Sequence, residues 1–577
     1  MAKWIYLQNR IDTEMASKGK GKISSSLLKI LSERGISEAG ADDFLSPYPK
    51  LTYDPFLLPD LKEAVLRIIG AADSGKQICI YGDYDADGIT STALLLNVLG
   101  KLTDKLCFYI PSRFVDGYGL NEIGIRYLHE HGAEMIVTVD CGSTSKAEVD
   151  YAKSLGMDII VSDHHTLADE KLPDCLLINP KRADSEYPFS GLSGCGVAFK
   201  MAQGIQRVLE SRGDSRFTKK DLNSLLDLVA ISTVADVVPL LDENRSLVKY
   251  GLAKINADPR PGLRVLLEEL GCSEKRINSE SIAFILAPNI NALGRMGSAR
   301  TGVELLAADE SCDTDLRVLA RSMIDNNQER KAEQERTRAL CNDAMKSGDC
   351  GDLCTVICVP EAHEGVTGIV AGNLKEELYR PVCILTTDES GMLKGTGRCI
   401  PGLNLYDMLE ECGDLFKRFG GHAGACGFCL YPDKVEEFRS RMQEAVRRRV
   451  QTDPDLLVEK IYIEKELSAE EKCLEFADEL GMLEPFGQDN LKPLFSICGA
   501  SVNYLHFMGR DEQHVRFLAD NGDGRGVECV LFRRAQEFAS LLASGEPVDV
   551  AGELSVNEFN GSRRLQFNVR DLRKGRN

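Results

Sequence analysis

Residues 81–95 read Tyr-Gly-Asp-Tyr-Asp-Ala-Asp-Gly-Ile-Thr-Ser-Thr-Ala-Leu-Leu. Asp83, Asp85 and Asp87 stand two residues apart, directly after the apolar run Gln77-Ile-Cys-Ile-Tyr81. Gly88 follows, then a stretch rich in Thr, Ser and Ala. This order predicts a buried strand over 77–83, a turn, and a helix over 89–99 entered through Gly88. Ligands of open α/β sheets collect outside the carboxyl ends of their strands. Several carboxylates gathered there repel one another unless a cation balances them. The plain alternative is a solvated, Asp-rich turn that caps a helix.

On either side of this stretch, residues 61–72 read as a helix, and 106–110, 134–140 and 158–162 as further strands with helical segments between them. Alternating strands and helices predict a parallel sheet with right-handed crossovers. Two of these strands end as the first one does. Asp140 closes the run IVTVD, and Asp163, His164 and His165 come after IIVS. Asp236 is a lone acid inside the apolar segment STVADVVPL. Taken singly, a strand-ending Asp is a common turn former. Jointly, three strand ends of one sheet carry acids or histidines, in a chain with only 8 His. Oxygen and imidazole donors suit Mn²⁺ or Mg²⁺ better than a thiolate zinc site. A divalent ion held there can activate a water molecule without a covalent nucleophile.

Composition bounds the rest. At 577 residues, with 43% hydrophobic content, the chain can bury several cores. No run of about 18 uncharged apolar residues occurs, and no apolar leader segment opens the chain, so a cytoplasmic protein without a membrane span is expected. The 19 cysteines read as reduced thiols, the Cys426–Cys429 pair included. A net charge of −20 counts against a nonspecific nucleic-acid coat but leaves room for a local basic channel.

The expected domain order is a helical and loop-rich segment over 1–60, a parallel-sheet α/β domain over 61–305, and a long exposed linking helix over 306–350. A second α/β domain over 351–450 and an OB-like β-barrel over 455–577 complete it.

The motifs DYDADG, VDCG, SDHH and VAD, in this order, resemble those of the DHH phosphoesterase superfamily. Gly420–Gly427 (GGHAGACG) resembles the motif of the associated DHHA1 domain. PSRFVDGYGL (111–120), NALGRM (291–296), HEGVTGIVAG (363–372), KGTGRCI (394–400) and EPFGQDNLKPLF (484–495) extend the likeness to the bacterial single-strand-specific exonucleases of that superfamily, from about residue 50 to the end.

The resemblance implies a 5′→3′ DNA exonuclease of recombination and repair. It implies two ions, Mn²⁺ or Mg²⁺, held by Asp85, Asp87, Asp140, His164 and Asp236, with Asp140 bridging. Asp163 would orient the histidine pair, and His165 would contact the scissile phosphate or assist the leaving oxygen. Where some members carry a metal-binding His, this chain has Tyr81, so Asp83 is expected to substitute. Arg113, Arg295, Arg398, His422, Gly420 and Gly421, with Gly395 and Gly397, are expected to hold DNA phosphate or sugar. Tyr118 is expected to stack on a base. In the last block, Arg533, Arg534, Arg563 and Arg564, interleaved with Phe532, Phe559 and Phe567, suggest a single-strand platform, and a plain barrel core accounts for the aromatics equally well. Single-stranded DNA is the expected partner, with a single-strand-binding protein and a RecQ-type helicase implied by resemblance, and the chain is expected to be a monomer. The competing reading is a DHH-family phosphodiesterase of short oligonucleotides or signalling dinucleotides.

Overall fold

The computed structural model describes residues 2–7, 23–112, 119–310, 314–346, 348, 350–388, 390–559 and 561–575. The chain divides into two compact units. One is Pro47–Lys331 with Pro485–Leu491, and the other is Met1–Ser46, Ala332–Glu484 and Lys492–Asn577.

The second unit opens with a strand, β1 (Lys3–Tyr6), where the sequence suggested only helix and loop. It is four residues long, and its partner lies more than 450 residues away, so local periodicity cannot reveal it.

In the first unit, β2 (Ile78–Tyr81), β3 (Leu106–Tyr109), β4 (Met135–Thr138), β5 (Asp158–Ser162) and β6 (Leu176–Ile178) form an all-parallel sheet in the order β3-β2-β4-β5-β6. The side-chain period of two sends Ile78, Ile80, Met135, Val137 and Ile160 into one core. Cys79, Tyr81, Ile136, Ile159 and Val161 enter the core on the other face. A parallel sheet covered on both sides needs such uniformly apolar strands. The expected strands and the helix at Leu61–Asp73 are present, each within a few residues of its predicted bounds.

Within the second unit, β7 (Thr355–Cys358), β8 (Val382–Thr387), β9 (Leu393–Arg398), β10 (Phe416–His422) and β11 (Ala425–Leu430) form a mixed sheet in the order β10-β11-β9-β8-β7. β12 (Lys460–Ile463) pairs with β1 in parallel. β13 (Lys465–Glu466) leads into β14 (Phe495–Met508), β15 (His514–Asp520), β16 (Val527–Leu531), β17 (Val548–Phe559) and β18 (Ser562–Lys574). The pairings β14–β15, β15–β16, β16–β18, β18–β17 and β17–β14 close a ring of five strands, the small barrel the sequence suggested.

The long helix runs from Leu316 to Lys346. It is less exposed than its charged sequence suggested. Ala320 and Met323 are buried in the core of the first unit, and Cys341 in a core of the second. Every described cysteine is a free thiol, with Cys426 and Cys429 buried. Among the described residues no helix is long and apolar enough to cross a membrane.

Candidate metal centre

Adjacent parallel strands end side by side, so the loops leaving β2, β4 and β5 meet at one edge of the sheet. Asp83 comes after β2, Asp140 after β4, and Asp163, His164 and His165 after β5. The helix after β2 begins at Ala86, earlier than expected, because the Asp85 carboxylate caps it by accepting from the N–H groups of Asp87 and Gly88 at 3.0 Å each. Asp87 therefore stands in the first helical turn. Gly88 permits the tight entry, since a Cβ there would lie 2.4 Å from the Asp83 carbonyl oxygen. Asp140 takes φ 61, a conformation that Asp tolerates better than most residues. Asp236 caps the end of the Leu226–Ala235 helix.

These residues converge. Ligand atoms of Asp83, Asp85 and Asp140 lie within 4.8 Å of one another, as do those of Asp87, His164 and Asp236, and those of Asp140, Asp163, His164 and His165. His164 Nε2 stands 3.1 Å from Asp140 Oδ1, 3.5 Å from Asp236 Oδ2 and 3.6 Å from Asp87 Oδ2. Asp83, Asp87, Asp140 and His164 are all buried. Asp83 Oδ1, Asp140 Oδ1 and both ring nitrogens of His164 lack a hydrogen-bond partner. Buried polar atoms almost always have a partner, so four such atoms in one cluster fit the role of cation ligands. The donor set of carboxylates and one imidazole fits Mn²⁺ or Mg²⁺.

The electrostatics agree. Burial, then the charge of Asp85, pushes Asp83 up to about 8. Burial, then Asp87 and Asp85, pushes Asp236 up to about 8. Burial and four neighbouring aspartates raise Asp140 well above the carboxylate range, and burial and Asp87 raise Asp85. Divalent ions would reverse these shifts. Burial lowers the His164 imidazole, leaving it neutral and able to act as a ligand.

His165 behaves oppositely. Burial opposes its charge, but the Asp163 carboxylate at 2.8 Å outweighs it and lifts His165 to about 9. Asp163 is held below the usual carboxylate range, despite burial, by the His165 hydrogen bond and by the N–H of Ser143 at 2.9 Å. His165 is half exposed and cationic at neutral pH.

Tyr81, in the position of a possible ligand, is buried, and its hydroxyl donates to the Gly119 carbonyl and accepts from the Asn121 amide. Asp83 sits in the cluster instead.

The sequence reading missed the cage around Asp87. Its Oδ2 accepts from Gly194 N–H at 2.7 Å, and its Oδ1 from Cys195 N–H at 2.8 Å and Ser232 Oγ at 2.6 Å. The two N–H groups begin the Gly194–Ser211 helix, whose dipole favours a carboxylate there. Only glycine allows this approach, because a Cβ at 194 would lie 2.7 Å from Asp140. The signal was present as Ser193, an N-cap before an apolar run. The exposed Lys181 was missed as well, and its charge acts on both His164 and Asp236.

Arg295 lies in the Ala287–Met296 helix, which abuts the metal loop: Asn291 Oδ1 accepts from Ala86 N–H at 2.8 Å, and Gly294 packs on the Tyr84 carbonyl. In the other unit, Arg398 ends β9 opposite Ala425, which pairs in turn with His422. Gly420, Gly421 and His422 are exposed. Gly395 and Gly397 are not open to a phosphate. They face the core, where a Cβ would strike the Phe428 ring at 2.1 Å or Leu405 at 2.7 Å, so packing explains them. Phe567 is fully buried in the barrel, which corrects its place on a platform, while Phe532 is 54% exposed. Arg534 and Arg563 are paired with Glu537 and with Glu558 and Asp478. Tyr504, at 85% exposed, is a surface aromatic of this block that the sequence did not single out. Arg113 and Tyr118 lie outside the described residues, as does the side chain of Phe559.

Family models match along the chain: the DHH family N-terminal domain over 77–233, the DHHA1 domain over 352–448 and the RecJ OB domain over 463–571. The single-stranded-DNA-specific exonuclease RecJ of Bacillus subtilis is 36% identical over 555 residues, covering 95% of this chain and 68% of that one. The chain belongs to the RecJ family. Two crystal structures of RecJ from Thermus thermophilus agree with its fold. The complex with Mn²⁺ gives a TM-score of 0.79 at 29% identity, covering 96% of this chain and 76% of that one, and the complex with Mg²⁺ gives 0.75 at 28%, covering 96% and 75%. RecJ of Salmonella typhimurium is 37% identical, covering 89% of this chain and 90% of that one.

Proposed function

We propose that the chain is a metal-dependent single-stranded-DNA-specific exonuclease that degrades from the 5′ end and serves DNA recombination and repair. The observation that carries this reading is the buried carboxylate and imidazole cluster with its orphaned atoms, in a chain of the RecJ family. Asp83, Asp85 and Asp140 would hold one ion, and Asp87, His164 and Asp236 a second. Bound Mn²⁺ or Mg²⁺ would supply the positive charge that activates water and stabilises the phosphodiester's attacking and leaving oxygens.

The chain's own groups do the remainder. The cage of Gly194, Cys195 and Ser232 fixes the direction of the Asp87 carboxylate. Asp163 keeps His165 protonated, so that it can donate to a phosphate oxygen or to the departing oxygen. Arg295, Arg398 and His422, with the N–H groups of Gly420 and Gly421, would hold the backbone phosphates, and Arg113 and Tyr118 keep that role on their motif. Tyr504 and Phe532 offer ring faces for bases. A monomer in the cytoplasm, meeting a single-strand-binding protein and a RecQ-type helicase, completes the reading.

The test is degradation of 5′- and 3′-labelled single strands with and without Mn²⁺, beside a dinucleotide. Mn²⁺-dependent loss of the 5′ label first is expected. Turnover of the dinucleotide alone would favour the small-substrate phosphodiesterase.

A further inference from the structure

The EPFGQDN stretch at 484–490 supplies no ligand to the metal cluster. By chain order it lies in the C-terminal block. Yet Pro485–Leu491 belongs to the unit that carries the metal cluster, while the residues on either side belong to the other unit. It forms a tight turn. Gly487 and Asn490 exchange backbone hydrogen bonds at 3.0 and 3.1 Å, and Asp489 takes φ 58. The buried Asn490 amide donates to the Pro485 carbonyl at 2.7 Å. Among the bonds that fasten the turn, Ser279 Oγ donates to the Phe486 carbonyl at 2.7 Å, and Leu240 N–H donates to the Gln488 carbonyl at 2.9 Å.

Leu240 stands four residues after Asp236, and the chain between them is strained. Val237 has φ 56, which a β-branched residue rarely adopts. It is 64% exposed, so core packing does not hold it there. Such a conformation persists only where its surroundings over-determine it. On the near side, Asp236 N–H and Val237 N–H donate to the carbonyls of Ser232 and Val234 in the preceding helix. On the far side, the Asn244 amide donates to the Pro239 carbonyl at 3.0 Å, and Gln488 holds the buried Leu240. Gly487 lies flush against Leu240, because a Cβ there would come within 2.6 Å of Leu240 Cδ1.

We infer that the Pro485–Leu491 turn is a positioning element of the metal centre. By pinning Leu240 it holds the strained loop that aims the Asp236 carboxylate at His164. A segment that the chain order assigns to the C-terminal block is thereby a working part of the metal site. The inference rests on the reading of Asp236 as a metal ligand.

The test is calorimetric titration of the full-length protein with Mn²⁺ alone, with melting curves to establish folding. Gly487→Val should weaken Mn²⁺ binding roughly tenfold, the size seen when groups that orient metal ligands are lost. Leu240→Ala, which makes room, should restore most of that loss in the double variant, so the two changes are non-additive. Asp236→Asn serves as the control. If Asp236→Asn binds Mn²⁺ as the wild type does, the ligand reading fails and takes the inference with it. If Asp236→Asn is weakened while a folded Gly487→Val is not, or if Leu240→Ala brings no recovery, the positioning role alone is overturned. Should Gly487→Val fail to fold, Ser279→Ala, which removes one hydroxyl from the anchor, decides: weaker Mn²⁺ binding supports the role and unchanged binding overturns it.

Discussion

The metal cluster and the exposed end of the β9–β11 sheet both carry family motifs, but different physics holds them. In the cluster Asp83, Asp87, Asp140, Asp163 and His164 are buried, carboxylates crowd one another, and Asp83 and Asp236 are pushed up to about 8. At the sheet end, Gly420, Gly421 and His422 lie on the surface, and the neighbouring glycines serve core packing. A buried polar cluster is tolerated only where something compensates it, so its chemistry is over-determined. An exposed strand end faces no such demand. The two regions should therefore fail differently when altered: the first in metal binding and turnover, the second in affinity for the strand.

The largest expected effect is at the cluster. Asp87→Asn or His164→Ala should reduce hydrolysis to background while leaving the melting temperature close to that of the wild type, and wild-type-like turnover in either purified variant would break the contrast. Next comes Ser232→Ala, which removes one donor from the Asp87 cage and should cost about 10–100-fold in Mn²⁺ affinity or activity. Arg398→Ala should be milder and of the other kind. Losing one charge-assisted contact, worth about 1.5–3 kcal/mol, should raise KM for single-stranded DNA about tenfold or more, with Mn²⁺ affinity unchanged. A matching loss of Mn²⁺ binding in Arg398→Ala would erase the distinction between the regions.

The smallest effect is on stability. Asp83 and Asp236 have folded-state values above their unfolded ones, so they favour the folded state at pH below the ordinary carboxylate value, and that contribution is lost as pH rises towards about 8. Chelator-treated protein should melt a few degrees lower at pH 8 than at pH 6, and Mn²⁺ should raise the melting temperature more at pH 8. Equal Mn²⁺ shifts at both pH values would show that the cluster is not strained by its own charge.

Much of this was legible in the residues. Apolar runs that stop at Asp83, Asp140 and Asp163 reveal both the parallel sheet and the site, because strand direction and ligand placement obey one rule. Less legible was whatever depends on distant partners. The Lys3–Tyr6 strand pairs with Lys460–Ile463, and the Asp87 cage is drawn from Gly194 and Ser232, more than 100 residues away. The Pro485–Leu491 turn sits with residues far earlier in the chain. Gly395 and Gly397 show the reverse error. Glycine permits close approach to a phosphate and to a Phe ring alike, and only packing reveals which.

The most direct test of the metal centre is a manganese-edge anomalous difference map from Mn²⁺-soaked crystals of the full-length protein. Two peaks are expected, one among Asp83, Asp85 and Asp140 and one among Asp87, His164 and Asp236. A cluster without anomalous density at saturating Mn²⁺, in crystals of protein that degrades single-stranded DNA, would contradict the account.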